Sequence, residues 1–237
     1  MKKGKPAGVD NIPAELVQAG GEDLITALTT ICDKIWQTGE WSTLWTQSLV
    51  ITLPKRGNLQ QCQNYRTISL NSHPSKVMLK IIRNRLKSQA EKVITEEQAG
   101  FRASRSTTEQ ILNLRIHCEK YLQHQKDLYH FFVDFKKALG WVWHAALWAT
   151  MKKHNISTNL IRVIKNLYDK ATSAILFNSS IALRLVLNNS WSPTGCLLSP
   201  TLLNIFLERI MTDALEDHES TGGTLITNLH FADDISG

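Results

Sequence analysis

The stretch Leu128-Tyr-His-Phe-Phe-Val-Asp134 places an acidic residue directly after a nearly continuous run of β-prone apolar residues. Because such a run has no polar face, we expect a central strand that is covered on both sides. A second strand is predicted over Leu225 to Phe231, and it leads into the adjacent pair Asp233 and Asp234. The sequence therefore predicts carboxylates at the ends of two strands that lie far apart in the chain.

Around these strands the sequence predicts a mixture of helices and further strands. The signals are apolar periodicity, capping residues and proline for helices, and short apolar runs beside turn residues for strands. The predicted helices cover about 13–37, 76–90, 106 onward, 143–154, 157–170 and 199–215, and the remaining predicted strands cover 48–53, 174–177 and 182–187. Helices and strands do not alternate regularly, which favours an α+β fold over a doubly wound sheet.

Two of the predicted helices carry more specific expectations. The helix over 76–90 has an apolar stripe on one face and four basic residues on the other: Lys80, Arg83, Arg85 and Lys87. Taken alone, this pattern is typical of a solvated face. The helix that begins near Ser106 has the capping-box spacing to Glu109, and we expect it to turn three residues inward: Ile111, Leu114 and Cys118.

Composition limits the class of protein but does not decide it. The 237 residues are 43% hydrophobic and 20% charged, which is typical of a folded domain. A formal net charge of +6 is compatible with a polyanionic partner and equally with none. The four cysteines have no metal-site or disulfide spacing. With no apolar run long enough for a signal peptide or a membrane span, we expect a soluble, intracellular protein with no membrane partner.

The paired carboxylate sites suggest a particular chemistry. Adjacent aspartates repel each other and call for a nearby cation if they are drawn into a cleft. Two Mg²⁺ ions held by carboxylates from neighbouring strands would neutralise that charge and align a phosphoryl transfer. Each site also has a structural alternative, since Asp134 could cap a helix and Asp233-Asp234 could form an exposed hairpin turn.

Longer blocks follow one another along the chain and give these residues a context. They are Gly8-Val-Asp-Asn-Ile-Pro-Ala-Glu15, Asn64-Tyr-Arg-Thr-Ile-Ser-Leu70, Glu96-Glu-Gln-Ala-Gly-Phe-Arg-Ala-Ser-Arg-Ser-Thr-Thr-Glu-Gln110, Val133-Asp-Phe-Lys-Lys-Ala138, Gly195-Cys-Leu-Leu-Ser-Pro-Thr-Leu-Leu-Asn204 and Phe231-Ala-Asp-Asp234. In this order they resemble the blocks of reverse transcriptases from non-LTR (LINE-like) retrotransposons. The resemblance spans roughly residue 4 to the last residue.

That resemblance implies the fingers and palm of a right-handed polymerase, with the thumb absent. It assigns 1–112 to the fingers with an N-terminal extension, 113–141 to the first part of the palm, 142–198 to the second part of the fingers and 199–237 to the second part of the palm. The implied activity is RNA-directed DNA polymerisation by a two-metal nucleotidyl transfer. The implied partners are an RNA template, a DNA primer and deoxynucleoside triphosphates, with two Mg²⁺ ions as cofactor and Mn²⁺ as an alternative ion.

The resemblance also assigns roles residue by residue. The catalytic and metal-binding acids would be Asp134, Asp233 and Asp234, with the backbone carbonyl of Phe135 facing a metal. The nucleotide would contact Lys55, Arg66, Phe135, Leu139 and Thr194. The template and primer would lie along Lys80, Arg83, Arg102, Arg105, Ser199 and Pro200.

The chain departs from the family's pattern at several positions. Thr67 replaces a proline, Leu139 replaces the aromatic plate under the incoming sugar, and Thr194 replaces a glutamine. Gly237 lies three residues after Asp234, so the second strand of the catalytic hairpin should be nearly absent. We therefore expect a truncated, partly degenerate copy. One alternative is a catalytically inactive relic that at most binds RNA, and another is an α+β interaction module.

Overall fold

A computed structural model describes residues 3–61, 64–129, 132–134, 142–177, 180–187, 196–220, 229–231 and 234–236. The helices are α1 (Ala14–Ala19), α2 (Gly21–Thr38), α3 (Thr43–Thr46), α4 (His73–Ala90), α5 (Thr107–Gln123), α6 (His144–Lys153), α7 (Thr158–Asp169) and α8 (Ser199–Ser220). The strands are β1 (Gln47–Pro54), β2 (Tyr65–Asn71), β3 (Phe132–Asp134), β4 (Thr172–Phe177), β5 (Ser180–Leu187), β6 (Leu229–Phe231) and β7 (Asp234–Ser236). The mixture confirms the predicted α+β class.

The core is helical and is built from α4, α6, α7 and α8, each of which packs on at least one of the others. Its largest fully buried side chains are Met78, Ile82, Leu86, Leu147, Met151, Leu160, Ile164, Leu198, Leu202 and Ile205. Removing each such side chain from water contributes roughly 1.5–3 kcal/mol. The predicted stripe on α4 is confirmed at its centre, since Ile82 and Leu86 are completely buried.

The single helix predicted over 13–37 is wrong, because the chain breaks between α1 and α2. Gly21 has φ +58, a left-handed conformation that interrupts a right-handed helix and that glycine adopts without steric cost. At its other end, α2 stops at Gly39, whose φ is +76. There the Arg162 side chain of α7 donates hydrogen bonds to the carbonyl oxygens of Trp36 and Gln37, at 3.1 and 2.9 Å. Arg162 of α7 therefore caps the C-terminal end of α2.

A four-stranded sheet has the order β2-β1-β4-β5 and confirms the strands predicted over 48–53, 174–177 and 182–187. β1 and β2 form an antiparallel hairpin, and β1 pairs with β4 in parallel. The hairpin continues past β1, where the N–H of Lys55 donates to the carbonyl oxygen of Asn64 at 2.7 Å.

The second sheet has three short strands in the order β3-β7-β6. The prediction of a central strand covered on both faces is wrong for β3, which is an edge strand among the described strands and leaves Phe132 75% exposed. A continuous apolar run indicates a strand, but it does not state how many neighbours the strand has. The earlier residues His130 and Phe131 lie outside the described part of the chain.

Helix α5 confirms one expectation and contradicts another. The capping box is present, since the Ser106 side chain accepts from the N–H of Glu109 and the Glu109 side chain accepts from the N–H of Ser106. The inward placement of Ile111 is wrong, because that side chain is 66% exposed, while Leu114 and Cys118 are half-buried. Among the described elements, α5 packs mainly on the three-residue strand β6 instead of the helical core.

Among the described helices, none combines the length and the apolar character needed to cross a bilayer.

Candidate functional site

The two acidic blocks meet in the small sheet. β3 pairs with β7 in antiparallel register, with Asp134 opposite Asp234, Val133 opposite Ile235 and Phe132 opposite Ser236. Directly opposed residues of an antiparallel pair have Cα atoms roughly 4.5–5.5 Å apart. The backbone therefore brings Asp134 and Asp234 to one rung of the ladder.

The strand that follows the second acidic block is also better formed than expected. We predicted that the second strand of the hairpin would be nearly absent, and for the described residues this is wrong. β7 begins at Asp234 and is the middle strand, pairing with β3 on one side and β6 on the other, where Asp234 lies opposite Phe231. Pairing on both sides satisfies the backbone of even a three-residue strand.

Four predicted site residues lie outside the described part of the chain: Asp233, Phe135, Leu139 and Thr194.

The predicted nucleotide-binding cations belong to the β1–β2 hairpin. Lys55 is exposed just after β1, and Arg66 lies in β2 opposite Leu53. The Asn64 side-chain amide donates to the carbonyl oxygen of Asn58 at 2.7 Å, which closes the turn between the two strands. The fold therefore brings Lys55 and the backbone of Arg66 to the same end of one hairpin.

The predicted template cations of α4 face away from the core. Lys80 is exposed and Arg83 is half-buried, and among the described ion pairs neither side chain takes part. One turn further on, the guanidinium of Arg85 lies 4.0 Å from the centre of the Trp36 ring. Such cation–π contacts hold an arginine against its own protein, so Arg85 differs from Lys80 and Arg83, which take part in none of the described ion pairs.

Arg102 and Arg105, predicted to share one role, lie in different environments. The Arg102 side chain is 7% exposed, and its Nε and Nη2 atoms lie 3.1 and 2.9 Å from Oε2 of Glu91. Its Nη1 atom donates to the carbonyl oxygens of Thr95 and Gln98. Arg105 is 35% exposed and pairs with a Glu96 side chain that is 73% exposed. Arg102 therefore serves the internal structure of the loop, while Arg105 can exchange its partner for another anion.

Two residues that sequence reasoning missed attach this loop to α8. Asn204 donates through Nδ2 to the carbonyl oxygen of Gly100 at 2.8 Å. One turn later, Oε2 of Glu208 accepts from the backbone N–H of Thr95 at 3.2 Å and from its hydroxyl at 3.4 Å. Both side chains are buried, and desolvation raises the pKa of Glu208. The sequence does carry a signal for this contact, because two polar residues four positions apart lie on one helix face, here within an apolar stripe.

The predicted start of the primer helix is confirmed as a helix start, because α8 begins at Ser199. Ser199 is buried and Pro200 is half-buried. Just before the helix, the Cys196 thiol lies 3.7 Å from the hydroxyl of Tyr168, whose ring stacks edge-on against His144. The thiol–hydroxyl contact therefore joins the segment just before α8 to α7, and the ring contact joins α7 to α6.

Residues 53–236 match the family model for reverse transcriptase (RNA-dependent DNA polymerase). The chain belongs to the reverse transcriptase family. A protein described as a probable RNA-directed DNA polymerase from transposon BS of Drosophila melanogaster is 26% identical over 205 residues, which cover 85% of this chain and 22% of that protein. The Pol polyprotein of the type-1 retrotransposable element R2 from Popillia japonica is 24% identical over 201 residues, which cover 83% and 28%.

These relatives confirm the resemblance to non-LTR retrotransposon reverse transcriptases. The chain spans only 22% and 28% of these relatives' own length. Among solved structures, apo telomerase from Candida tropicalis matches with a TM-score of 0.60 and 14% identity over 91% of this chain and 43% of that one. At this identity the match concerns the fold, and it confirms a reverse-transcriptase-like architecture. Reverse transcriptases as a family use divalent metal ions.

Proposed function

We propose that this chain is the polymerase part of a retrotransposon reverse transcriptase and that it copies an RNA template by extending a DNA primer with deoxynucleoside triphosphates. One observation carries the proposal. The antiparallel register sets Asp134 opposite Asp234, so two acidic blocks about a hundred residues apart in the chain share one rung of a sheet. Neither a helix cap at Asp134 nor the β6–β7 hairpin by itself would bring the two acidic blocks together.

The donor set fits two Mg²⁺ ions, because carboxylate and carbonyl oxygens are the hard ligands that Mg²⁺ prefers. Asp134, Asp233 and Asp234 would hold the ions together with the carbonyl oxygen of Phe135. When bound, such ions lower the pKa of a primer 3′-hydroxyl and neutralise a triphosphate. The support for this site is the register that sets Asp134 opposite Asp234 in the small sheet.

The chain's own cations would position the substrates. Phosphoryl transfer asks the protein mainly for orientation and charge neutralisation. Lys55 and Arg66, at one end of the β1–β2 hairpin, would hold the triphosphate. Lys80 and Arg83 on α4, with Arg105, would follow the template backbone, since cations without a fixed internal partner are free to contact phosphates.

Extension of a labelled DNA primer on an RNA template tests the proposal. With Mg²⁺ present, we expect extension by the wild-type chain and a loss of at least about a hundredfold in Asp134→Asn, because the amide removes the charge that holds a metal. Asp127→Asn is the matched control: Asp127 is exposed, lies in the same segment and has no assigned role. Chelation of the metal should stop extension, and Mn²⁺ should restore it.

Equal extension by the wild type and Asp134→Asn, with unchanged thermal melts, would reject the proposal. A different result would favour the relic: no extension by either protein, together with RNA binding that weakens steeply as salt rises. That outcome would leave Lys80, Arg83 and Arg105 as an RNA-binding surface without catalysis.

A further inference from the structure

A bulky aromatic side chain stands in solvent on the loop between α4 and α5. Phe101 is 55% exposed, and its backbone has φ +58. A residue with a Cβ atom seldom adopts this left-handed conformation, because Cβ then approaches the following carbonyl oxygen. An exposed ring that is held in an unfavourable backbone conformation does little for the stability of the fold. Such a combination indicates a function outside the folded chain.

The backbone on both sides of Phe101 is fixed by hydrogen bonds. The N–H of Gly100 donates to Oε1 of Gln98 at 2.8 Å, and its carbonyl oxygen accepts from the buried Nδ2 of Asn204 at 2.8 Å. On the other side, Arg102 is anchored by Glu91 and by two carbonyl oxygens of the loop. The ring therefore projects from a rigid support, and little conformational entropy remains to be lost when a ligand contacts it.

The charges of this loop balance each other. Residues 91–105 contain three acidic and three basic side chains, and the pairs Arg102–Glu91 and Arg105–Glu96 are formed. A loop with balanced charge is poorly suited to collecting phosphates, whereas a ring on a rigid, neutral support can stack on any nucleobase. The residues that follow Phe101 along the chain are short or charged, namely Ala103, Ser104 and Arg105, so the loop sequence after the ring offers no apolar run for a protein partner.

We propose that Phe101 is a base-stacking residue, which takes an unpaired base of the RNA template onto its ring. The identity of the nucleic acid rests on the proposed function. The supporting helices fit this role, because the loop is carried by α8, which begins at Ser199, and follows α4, which presents Lys80 and Arg83. Stacking by Phe101 and phosphate contacts by the α4 cations would then be separate contributions to template binding.

Three variants test the proposal with the full chain and a fluorescein-labelled, single-stranded oligoadenylate RNA. Phe101→Gly removes the ring and relieves the left-handed backbone, while Phe101→Tyr keeps a ring. Ser104→Gly is the matched control, because Ser104 lies in the same loop with φ +61 and is exposed but has no ring. Fluorescence anisotropy would give Kd between about 50 and 200 mM KCl, and thermal melts would report stability.

We expect Phe101→Gly to weaken RNA binding by roughly 5- to 150-fold, the effect of losing one stacked base. The slope of log Kd against log salt should stay unchanged, because no phosphate contact is lost. Phe101→Tyr and Ser104→Gly should bind as the wild type does, and both glycine variants should melt at or above the wild-type temperature.

Unchanged affinity in Phe101→Gly would overturn the proposal and leave the ring to a protein partner. A reduced salt slope would overturn it too, since it would indicate a lost phosphate contact, as would a wild-type chain that binds no RNA. The test of base stacking by Phe101 can fail independently of the test of primer extension. RNA binding that depends on Phe101 without primer extension would reject only the activity, and primer extension with unaltered RNA affinity in Phe101→Gly would reject only the stacking.

Discussion

Replacing Arg102 by methionine should destabilise the fold far more than the same change at Arg105. The family resemblance gives the two arginines one role along the template, yet the structure separates them. Methionine keeps an apolar stem of similar length but removes the charge and all five donors. The change therefore tests whether Arg102 holds the loop together or contacts a template.

The cost follows from the partners that Arg102 leaves behind. The carbonyl oxygens of Thr95 and Gln98 each lose a charged donor, and about 1 kcal/mol for each is a conservative value. The Glu91 side chain is 37% exposed and can be solvated by water, so losing its pair with Arg102 should cost about 1 kcal/mol or less. Together these contributions predict a loss of roughly 2–3 kcal/mol, which corresponds to about 4–12 °C in Tm for a chain of this size.

Urea denaturation followed by circular dichroism would measure the effect, with Arg105→Met as the control. The pair of Arg105 with Glu96 is mostly exposed, so its loss should cost about 1 kcal/mol or less. A structural role for Arg102 would be refuted by two results together. The free energy of unfolding of Arg102→Met would lie within about 0.5 kcal/mol of the wild type, and the slope of log Kd against log salt for RNA binding would fall by roughly 0.7. That pair of results would mean that Arg102 contacts a phosphate and that the contacts to the loop contribute little.

Three further predictions concern burial and substrate contact. Burial raises the pKa of Glu208 above its ordinary value of 4.5, so the folded chain binds this proton more tightly than the unfolded chain. Glu208 therefore stabilises the fold below that pH, and this stabilisation is lost as the pH rises through the pKa of the folded chain. Glu208→Gln should make Tm depend less on pH in thermal melts from about pH 4 to pH 8. Ile82→Ala should cost roughly 2–5 kcal/mol by denaturation, whereas Ile111→Ala, at an exposed site, should stay within about 0.5 kcal/mol. Leu139→Phe should lower the KM for deoxynucleotides and increase discrimination against ribonucleotides, and unchanged steady-state kinetics would argue against a sugar-contacting role for position 139.

Elements with strong local signals were predictable from the sequence. The capping residues Ser106 and Glu109 fixed the start of α5 because both hydrogen bonds lie within one turn. The apolar periodicity of α4 and α8 likewise located these helices, since burial of one stripe repeats at the helical period. Single residues broke the longer patterns, as Gly21 does between α1 and α2.

Burial of a given face was much less predictable. The run that ends at Asp134 and the apolar positions of α5 were both expected to be covered, and both Phe132 and Ile111 are exposed. A pattern shows which residues share a face, but the element that covers that face is set by the rest of the fold. The same limit applies to Asn204 and Glu208, whose partners lie in a loop about a hundred residues earlier in the chain.

The charged residues show why the candidate site could be only partly assigned from its motifs. A buried cation is stable only with a partner of its own, so an arginine that the fold has already paired holds the shape of the protein, as Arg102 does with Glu91. Lys80 and Arg83 have no such partner among the described ion pairs, so their charges remain available to contact a polyanion. Residue type cannot distinguish the two cases, since Arg102 and Arg105 occur in one block and differ only in what surrounds them. The salt dependence of RNA binding should therefore report Lys80, Arg83 and the exposed Arg105 but not the buried Arg102, and its slope should be much smaller than a count of the basic residues would suggest.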